Sequence, residues 1–243
     1  MNSIEDVLQS VSHRPWGLPE RQWMFYQEWN RAIFLHFEVP YDVLRPLVPE
    51  EIELDQLEGK CYVSIVPFTM ENIRPRQLPA VSMISDFDEL NVRTYVKVDG
   101  KPGVYFLNIE VGKSLSAFVS RTVSGLPYEK AEMKRTADTY LSLNEKKKFF
   151  LRLKFKTGEL VQSKTTLEKW LTERYCLYVY VNEELFRYEI HHKEWPVKTI
   201  LFENLELEYK IGNLHLTEAD VIASQYSDGV IVVSWDKEKI TRI

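Results

Sequence analysis

Glu89-Leu-Asn-Val-Arg-Thr-Tyr-Val-Lys-Val98 alternates polar and apolar residues, and β-branched side chains fill one parity. A period of two is the signature of a strand whose faces meet different surroundings. Asp99-Gly-Lys-Pro-Gly103 follows, five residues with two glycines and a proline, which suits a hairpin connection. Val104-Tyr-Phe-Leu-Asn-Ile-Glu110 is then almost wholly apolar or aromatic, as expected of a strand covered on both faces. The stripe Glu89, Asn91, Arg93 and Tyr95 shares one parity and is the best candidate for chemistry in the chain.

Strand signals continue on either side. From Trp23 to Val39, Arg31, Ile33, Leu35, Phe37 and Val39 take one parity and Ala32, Phe34, His36 and Glu38 the other. This puts Arg31 at the head of an apolar face, an awkward place for a fixed charge unless an anion meets it. Further strands are expected over residues 59–68, 126–133, 149–155, 175–181, 185–191, 205–211 and 230–235.

Helices are few. Residues 1–12 read as a short helical lead-in, and Pro40 opens a brief helix limited by Pro46 and Pro49. Ser114 begins a helix with Leu115, Phe118, Val119 and Thr122 on one face, ended by Gly125. Thr165-Thr-Leu-Glu168 forms a capping box that opens another. His13-Arg-Pro-Trp-Gly-Leu-Pro19 is too rich in proline to be regular and reads as a wrapping segment whose Trp16 needs a socket. Residues 72–87 read as a long loop. Many strands with few helices imply a mainly β (α+β) fold, a curved antiparallel sheet with short helices at its margin. No repeat or linker divides it, so one domain spanning 1–243 is expected.

Composition excludes several function classes. The chain has 243 residues, a net charge of −5, 44% hydrophobic and 13% aromatic residues. That charge lacks the basic footprint of a nucleic-acid binder, and Lys146-Lys-Lys148 reads as a solvated edge. No apolar run approaches the ~18 residues of a membrane span, and the start has no secretory pattern. Cys61 and Cys176 lie far apart in apolar stretches and read as buried thiols. A cytoplasmic location follows as the expectation. Neither a phosphate-binding glycine loop nor a nucleophile elbow occurs, and no cofactor is expected. His191 and His192 are neighbours on a strand and point to opposite faces, which argues against a shared metal ion; His191 is kept as a pocket candidate.

The run of local signatures resembles the YqjF-like family of uncharacterised bacterial proteins. The matching segments include His13-Arg-Pro-Trp16, Leu44-Arg-Pro-Leu-Val-Pro49, Arg74-Pro-Arg76, residues 89–96, Leu126-Pro-Tyr128, residues 171–178 and Ile190-His-His192. Through that family the chain is similar to acetoacetate decarboxylase, which implies a cone-like antiparallel barrel around an internal pocket. The resemblance puts Arg31 in the place of that enzyme's active-site arginine and Glu89 in the place of a pocket glutamate. A second pocket glutamate would fall near Tyr62, where no acid stands.

The chain departs from the decarboxylase at Leu126-Pro-Tyr-Glu-Lys130. The enzyme's adjacent lysines, one forming the imine, are replaced by Tyr128 and Glu129. A phenol cannot form a Schiff base, and Lys130 has the wrong strand parity. The resemblance with these departures implies a pocket for a small, anionic organic molecule. Glu89 and Arg31 are the catalytic candidates, and Asn91, Arg93, Arg121, Tyr62, Tyr128, Glu129 and His191 the ligand-binding ones. An enzyme using acid–base chemistry, a non-catalytic binding protein and an interaction protein all remain open at this stage, as does assembly into a homo-oligomer.

Overall fold

The alternation over residues 89–98 and the turn after it produce the expected hairpin. A computed structural model describes residues 3–81, 85–112 and 125–241. In chain order its strands are β1 (Phe25–Val39), β2 (Glu53–Leu54), β3 (Cys61–Pro75), β4 (Phe87–Val98) and β5 (Lys101–Val111). Then come β6 (Tyr128–Lys130), β7 (Glu132–Arg135), β8 (Thr139–Asn144), β9 (Phe149–Leu160) and β10 (Cys176–Val181). β11 (Glu184–His192), β12 (Val197–Ile211), β13 (Leu214–Thr217), β14 (Val221–Ser234) and β15 (Glu238–Lys239) complete the set. The helices are α1 (Ile4–Gln9), α2 (Tyr41–Leu44) and α3 (Thr166–Thr172), the last with both hydrogen bonds of the Thr165–Glu168 capping box in place. The helix expected from Ser114, and Arg121 with it, lies outside the described residues.

Seven strands close on themselves. β1 pairs with β3 and β14, β3 with β4, β4 with β5, β5 with β10, β10 with β11, and β11 returns to β14. All these pairings are antiparallel except β5 with β10. Closure removes the open edge that a curved sheet would otherwise leave. From β14 an arm continues through β12, β9, β8 and β7.

The arm explains why the ring strands are apolar on both faces. Ile33, Leu35, Ile65, Leu90 and Val92 pack in one core with Tyr140, Phe149, Leu151 and Tyr209 from the arm. The alternate residues Ala32, Phe34, Val66, Phe68 and Phe87 belong to a second core with Trp195 and Val232. One strand thus serves two separate interiors, and its parity decides which.

Two irregularities adjust that parity. In β1 the pairing with β3 runs Asn30 to Thr69 and then Leu35 to Ile65, a slip of one residue, and Arg31 lies within this bulged stretch with φ of 53°. Between β4 and β5 the register slips by one after Val92, placing Arg93 opposite Phe106. The expected loop over 72–87 is shorter than read: β3 runs on to Pro75, paired with Phe25, because the apolar Ile73 is buried and extends the ladder.

Trp16 has its socket. Its indole N–H donates to Glu189 Oε2 at 2.9 Å, and Arg14 reaches the same oxygen at 2.5 Å. Lys101 completes the cluster on Glu189 Oε1 at 2.9 Å. The segment before β1 is therefore strapped across β11 by a buried ion cluster. Among the described residues no helix is long and apolar enough to cross a membrane, and both cysteines are buried free thiols.

Candidate functional site

The ring strands enclose a cavity of about 130 Å³. For scale, an apolar cavity on the order of 150 Å³ holds a benzene-sized guest. Trp29 and Phe34 from β1, Phe68 from β3, Phe106 from β5 and Trp195 after β11 supply aromatic wall, with Phe34 edge-on to Trp195 at 5.1 Å. Against this apolar surface stand a few polar groups: Glu89, Asn91 and Arg93 of β4, Thr172 at the end of α3, Arg174, Tyr128 and His192. The stripe on β4 therefore faces inward, as its shared parity requires, while Leu90 and Val92 face the other core.

Glu89 is 6% exposed and has no ion-pair partner among the described residues. Burial pushes its carboxyl up to about 7, opposed only by a hydrogen bond with the Asn91 side chain. Tyr128 lies close enough that the charge of Glu89, after burial, raises its phenol well above the ordinary value. The phenol is a neutral hydrogen-bonding group. His192 is held below its ordinary pKa by burial and donates Nδ1–H to the Lys193 carbonyl at 2.7 Å. A neutral imidazole results.

Two guanidinium groups meet at the C-terminus of α3. Arg93 donates Nη2–H to the Leu171 carbonyl at 3.3 Å, and Arg174 donates Nε–H to the Trp170 carbonyl at 2.8 Å. Helix C-terminal carbonyls lack intrahelical donors and carry partial negative charge, so cations gather there. Arg174 also pairs with Asp55 at 2.5 Å. No carboxylate pairs with Arg93 among the described residues. Arg93 Nε, Arg174 Nη2 and Asn91 Oδ1 are buried atoms without a hydrogen-bond partner among the described residues. Tyr95, the last residue of the sequence stripe, does not line the cavity; its hydroxyl donates to the Leu171 carbonyl and its ring packs 4.7 Å from Trp170.

Other candidates fall elsewhere. Arg31 leaves the cavity: its bulge turns the side chain outward, where it is 46% exposed and pairs with Glu71 at 2.9 Å. Its parity with Ile33, Leu35 and Phe37 belongs to the outer core, so its place in the pocket was implied by the decarboxylase resemblance alone, and the structure does not keep it there. Tyr62 is buried beside Trp170 in a small separate core, not in the cavity wall. Glu129 faces away and is paired with Lys146 and Lys147, whose nearness lowers its pKa. Lys130 is exposed. His191 points to the strap, donating Nε2–H to the Val7 carbonyl at 2.9 Å, so its neighbour His192 takes the inward place. The one-residue difference is the strand parity of Tyr188 and Ile190, which also face the cavity. Glu110, a second buried acid, faces the outer core, bonded to Ser142 and Tyr209. Among the described residues no cluster of three His, Cys, Asp or Glu side chains is placed to hold a metal ion.

Arg174 was missed because it stands beyond a helix, outside any strand pattern. The signal available was a cation just past the last turn of a capped helix.

The chain resembles acetoacetate decarboxylase from Legionella pneumophila in structure, with TM-score 0.61 and 15% identity over 96% of each chain. The enduracididine biosynthesis enzyme MppR, solved in complex with pyruvate, matches with TM-score 0.59 and 11% identity over 94% of this chain and 93% of that one. At such identities the likeness is one of fold, and the fold is the acetoacetate decarboxylase-like one. In sequence, an uncharacterized protein of Bacillus subtilis (strain 168), YqjF, is 35% identical over 222 residues, 88% of this chain and 89% of the relative. The model of DUF2071, an uncharacterized conserved protein, matches residues 26–230, and with these two matches the chain belongs to the DUF2071 family.

Proposed function

We propose that this protein binds a small organic anion in the cavity inside the ring and acts on it by acid–base chemistry through Glu89. One juxtaposition carries this reading. The same inward stripe of β4 holds Arg93, a buried cation without a carboxylate partner, and Glu89, a carboxyl with pKa raised to about 7. An isolated buried charge is unfavourable unless something opposite in sign meets it. A carboxyl titrating near neutrality can both take and return a proton at working pH. Tyr128 and Asn91 serve as hydrogen-bond partners to the bound molecule. That a neighbour of the same fold holds pyruvate supports a small carboxylate as the guest.

Imine chemistry has no place in this reading, since Tyr128 stands where an amine would be needed and Lys130 is exposed. The cytoplasm is the proposed location, in keeping with two unpaired buried thiols. The test is solvent-deuterium exchange into a panel of 2-oxo and 3-oxo acids, followed by NMR. Exchange at the carbon beside the carbonyl is expected, with a loss of at least about a hundredfold in Glu89→Gln. If Glu89→Gln exchanges as fast as the unaltered protein, Glu89 is not the base. If no organic acid exchanges or binds, the reading fails altogether.

A further inference from the structure

The geometry points to Arg93 and Arg174 as a carboxylate clamp for monocarboxylic acids with an aromatic or bulky apolar body, whose far end lies against Glu89 and Asn91. This inference rests on the anion-binding reading above and goes beyond it by naming the residues that select the ligand and the class selected.

The donors come first. Each guanidinium spends one side on a carbonyl of the last turn of α3, Arg93 on Leu171 and Arg174 on Trp170. Both flank the ring of Tyr95, with Cζ at 5.9 Å for Arg93 and 4.9 Å for Arg174. Arg93 is 8% and Arg174 4% exposed, and each keeps one buried N–H without an acceptor among the described residues, Nε in Arg93 and Nη2 in Arg174. Two spare N–H groups on neighbouring cations match the two oxygens of a carboxylate.

Charge then fixes the valence of the guest. Asp55 neutralises Arg174, His192 is neutral, and Arg93 alone is left without a counter-charge among the described residues. With Glu89 protonated, and Asp236 exposed to solvent, the buried lining carries a surplus of one positive charge. A monocarboxylate balances it, whereas a phosphate ester, carrying about −1.5 to −2, would leave excess negative charge against an apolar wall.

The walls fix the body. Phe34 lies 5.9 Å from the Arg93 guanidinium carbon, and Trp29, Phe68, Phe106 and Trp195 continue the apolar surface. Arg93 and Glu89 are four residues apart on β4, which separates their Cα atoms by about 13 Å. A two- or three-carbon acid held at Arg93 leaves most of that surface uncovered. An aryl-alkyl acid spans the gap, and a hydrogen-bonding group at its far end meets the Asn91 Oδ1 acceptor, which is otherwise unpaired.

Calorimetric titration with acetate, 3-phenylpropionate, 3-(4-hydroxyphenyl)propionate and 3-phenylpropionamide separates the possibilities. The phenyl acids are expected to bind at least tenfold tighter than acetate, and the acid at least tenfold tighter than its amide. Arg93→Gln should erase the acid-to-amide preference while leaving amide binding within about twofold, and Arg93→Lys should recover part of it. Acetate binding as tightly as the phenyl acids overturns the inference and leaves the anion reading standing. Failure of every acid to bind overturns both. If Arg93→Gln does not fold, the acid-to-amide ratio on the unaltered protein still decides, because a ratio near one removes the clamp.

Discussion

Replacing Glu89 with glutamine should stabilise the protein in alkaline solution and do nothing in acid. The folded chain holds the Glu89 proton with a pKa of about 7, against an ordinary value of 4.5. Because the folded value is the higher one, folding favours the protonated acid. Stability from this group is therefore fully present below about pH 4.5, declines as pH rises, and is lost above about 7. At 1.36 kcal/mol per pH unit, the interval amounts to about 3 kcal/mol. Glutamine has the shape of the protonated acid and no charge to bury, so it escapes the decline. Urea unfolding of both proteins at pH 4.5 and pH 8 provides the measurement. The midpoints should agree at pH 4.5 and differ by about 1 M at pH 8, with the variant more stable. An equal difference at both pH values would show that Glu89 is not desolvated as described. A less stable variant at pH 8 would mean that its carboxylate is paired and stabilising, which would refute the reasoning outright.

Four further outcomes are expected. Arg14→Met should lower stability by about 3 kcal/mol, the low end for breaking a buried pair because Lys101 still reaches Glu189; thermal unfolding measures it. Gly229→Ala should destabilise by about 2–3 kcal/mol, since φ there is 142° and a Cβ would lie 2.7 Å from the Trp29 carbonyl oxygen; a change below 0.5 kcal/mol in chemical denaturation would contradict the geometry. Arg31→Ala should leave binding of any organic acid within twofold, as the side chain is outside the cavity; a tenfold loss would return Arg31 to the site. Borohydride reduction in the presence of 3-oxo acids should give no mass adduct, and a stable adduct on Lys130 would reinstate the imine.

What could be read from the sequence was whatever depends on period two within one strand. The hairpin at 89–110 and the inward stripe of Glu89, Asn91 and Arg93 follow from alternation alone, and the structure keeps that alternation because both faces of β4 are buried in different cores. Arg31 escaped because the bulge against β3 reverses which parity of β1 faces inward, Trp29 before it and Ala32 after it, without any change in composition. The first halves of β12 and β14 escaped for another reason. Lys198 to Asn204 lies on the arm, where β12 packs along one face and Leu201 is 66% exposed, so its mixed residues carry no strong periodic signal. Arg174 and Asp55, which meet across 119 positions, were beyond any local pattern. Pairings of that kind are set by ring closure, and closure is not written in any single segment.

Two interiors on alternate faces of the same strands have a consequence for chemistry. A change at Leu90 or Val92 disturbs the core shared with the arm, whereas a change at Glu89, Asn91 or Arg93 alters the chamber and leaves that core packed. Cavity walls tolerate exchange because they are not filled to crystal density, while the outer core is. The ring can therefore keep its shape while its inward residues are replaced. Tyr128 is the clearest instance. It occupies the place that the acetoacetate decarboxylase resemblance gives to an amine, its phenol stays neutral beside Glu89, and the strand that presents it remains paired to β5. A lysine there would stand beside Glu89 and pull its carboxyl down, whereas the neutral phenol leaves that carboxyl raised. In the function proposed above, Arg93 receives the anion and Glu89, whose carboxyl the neutral phenol leaves raised, handles the proton.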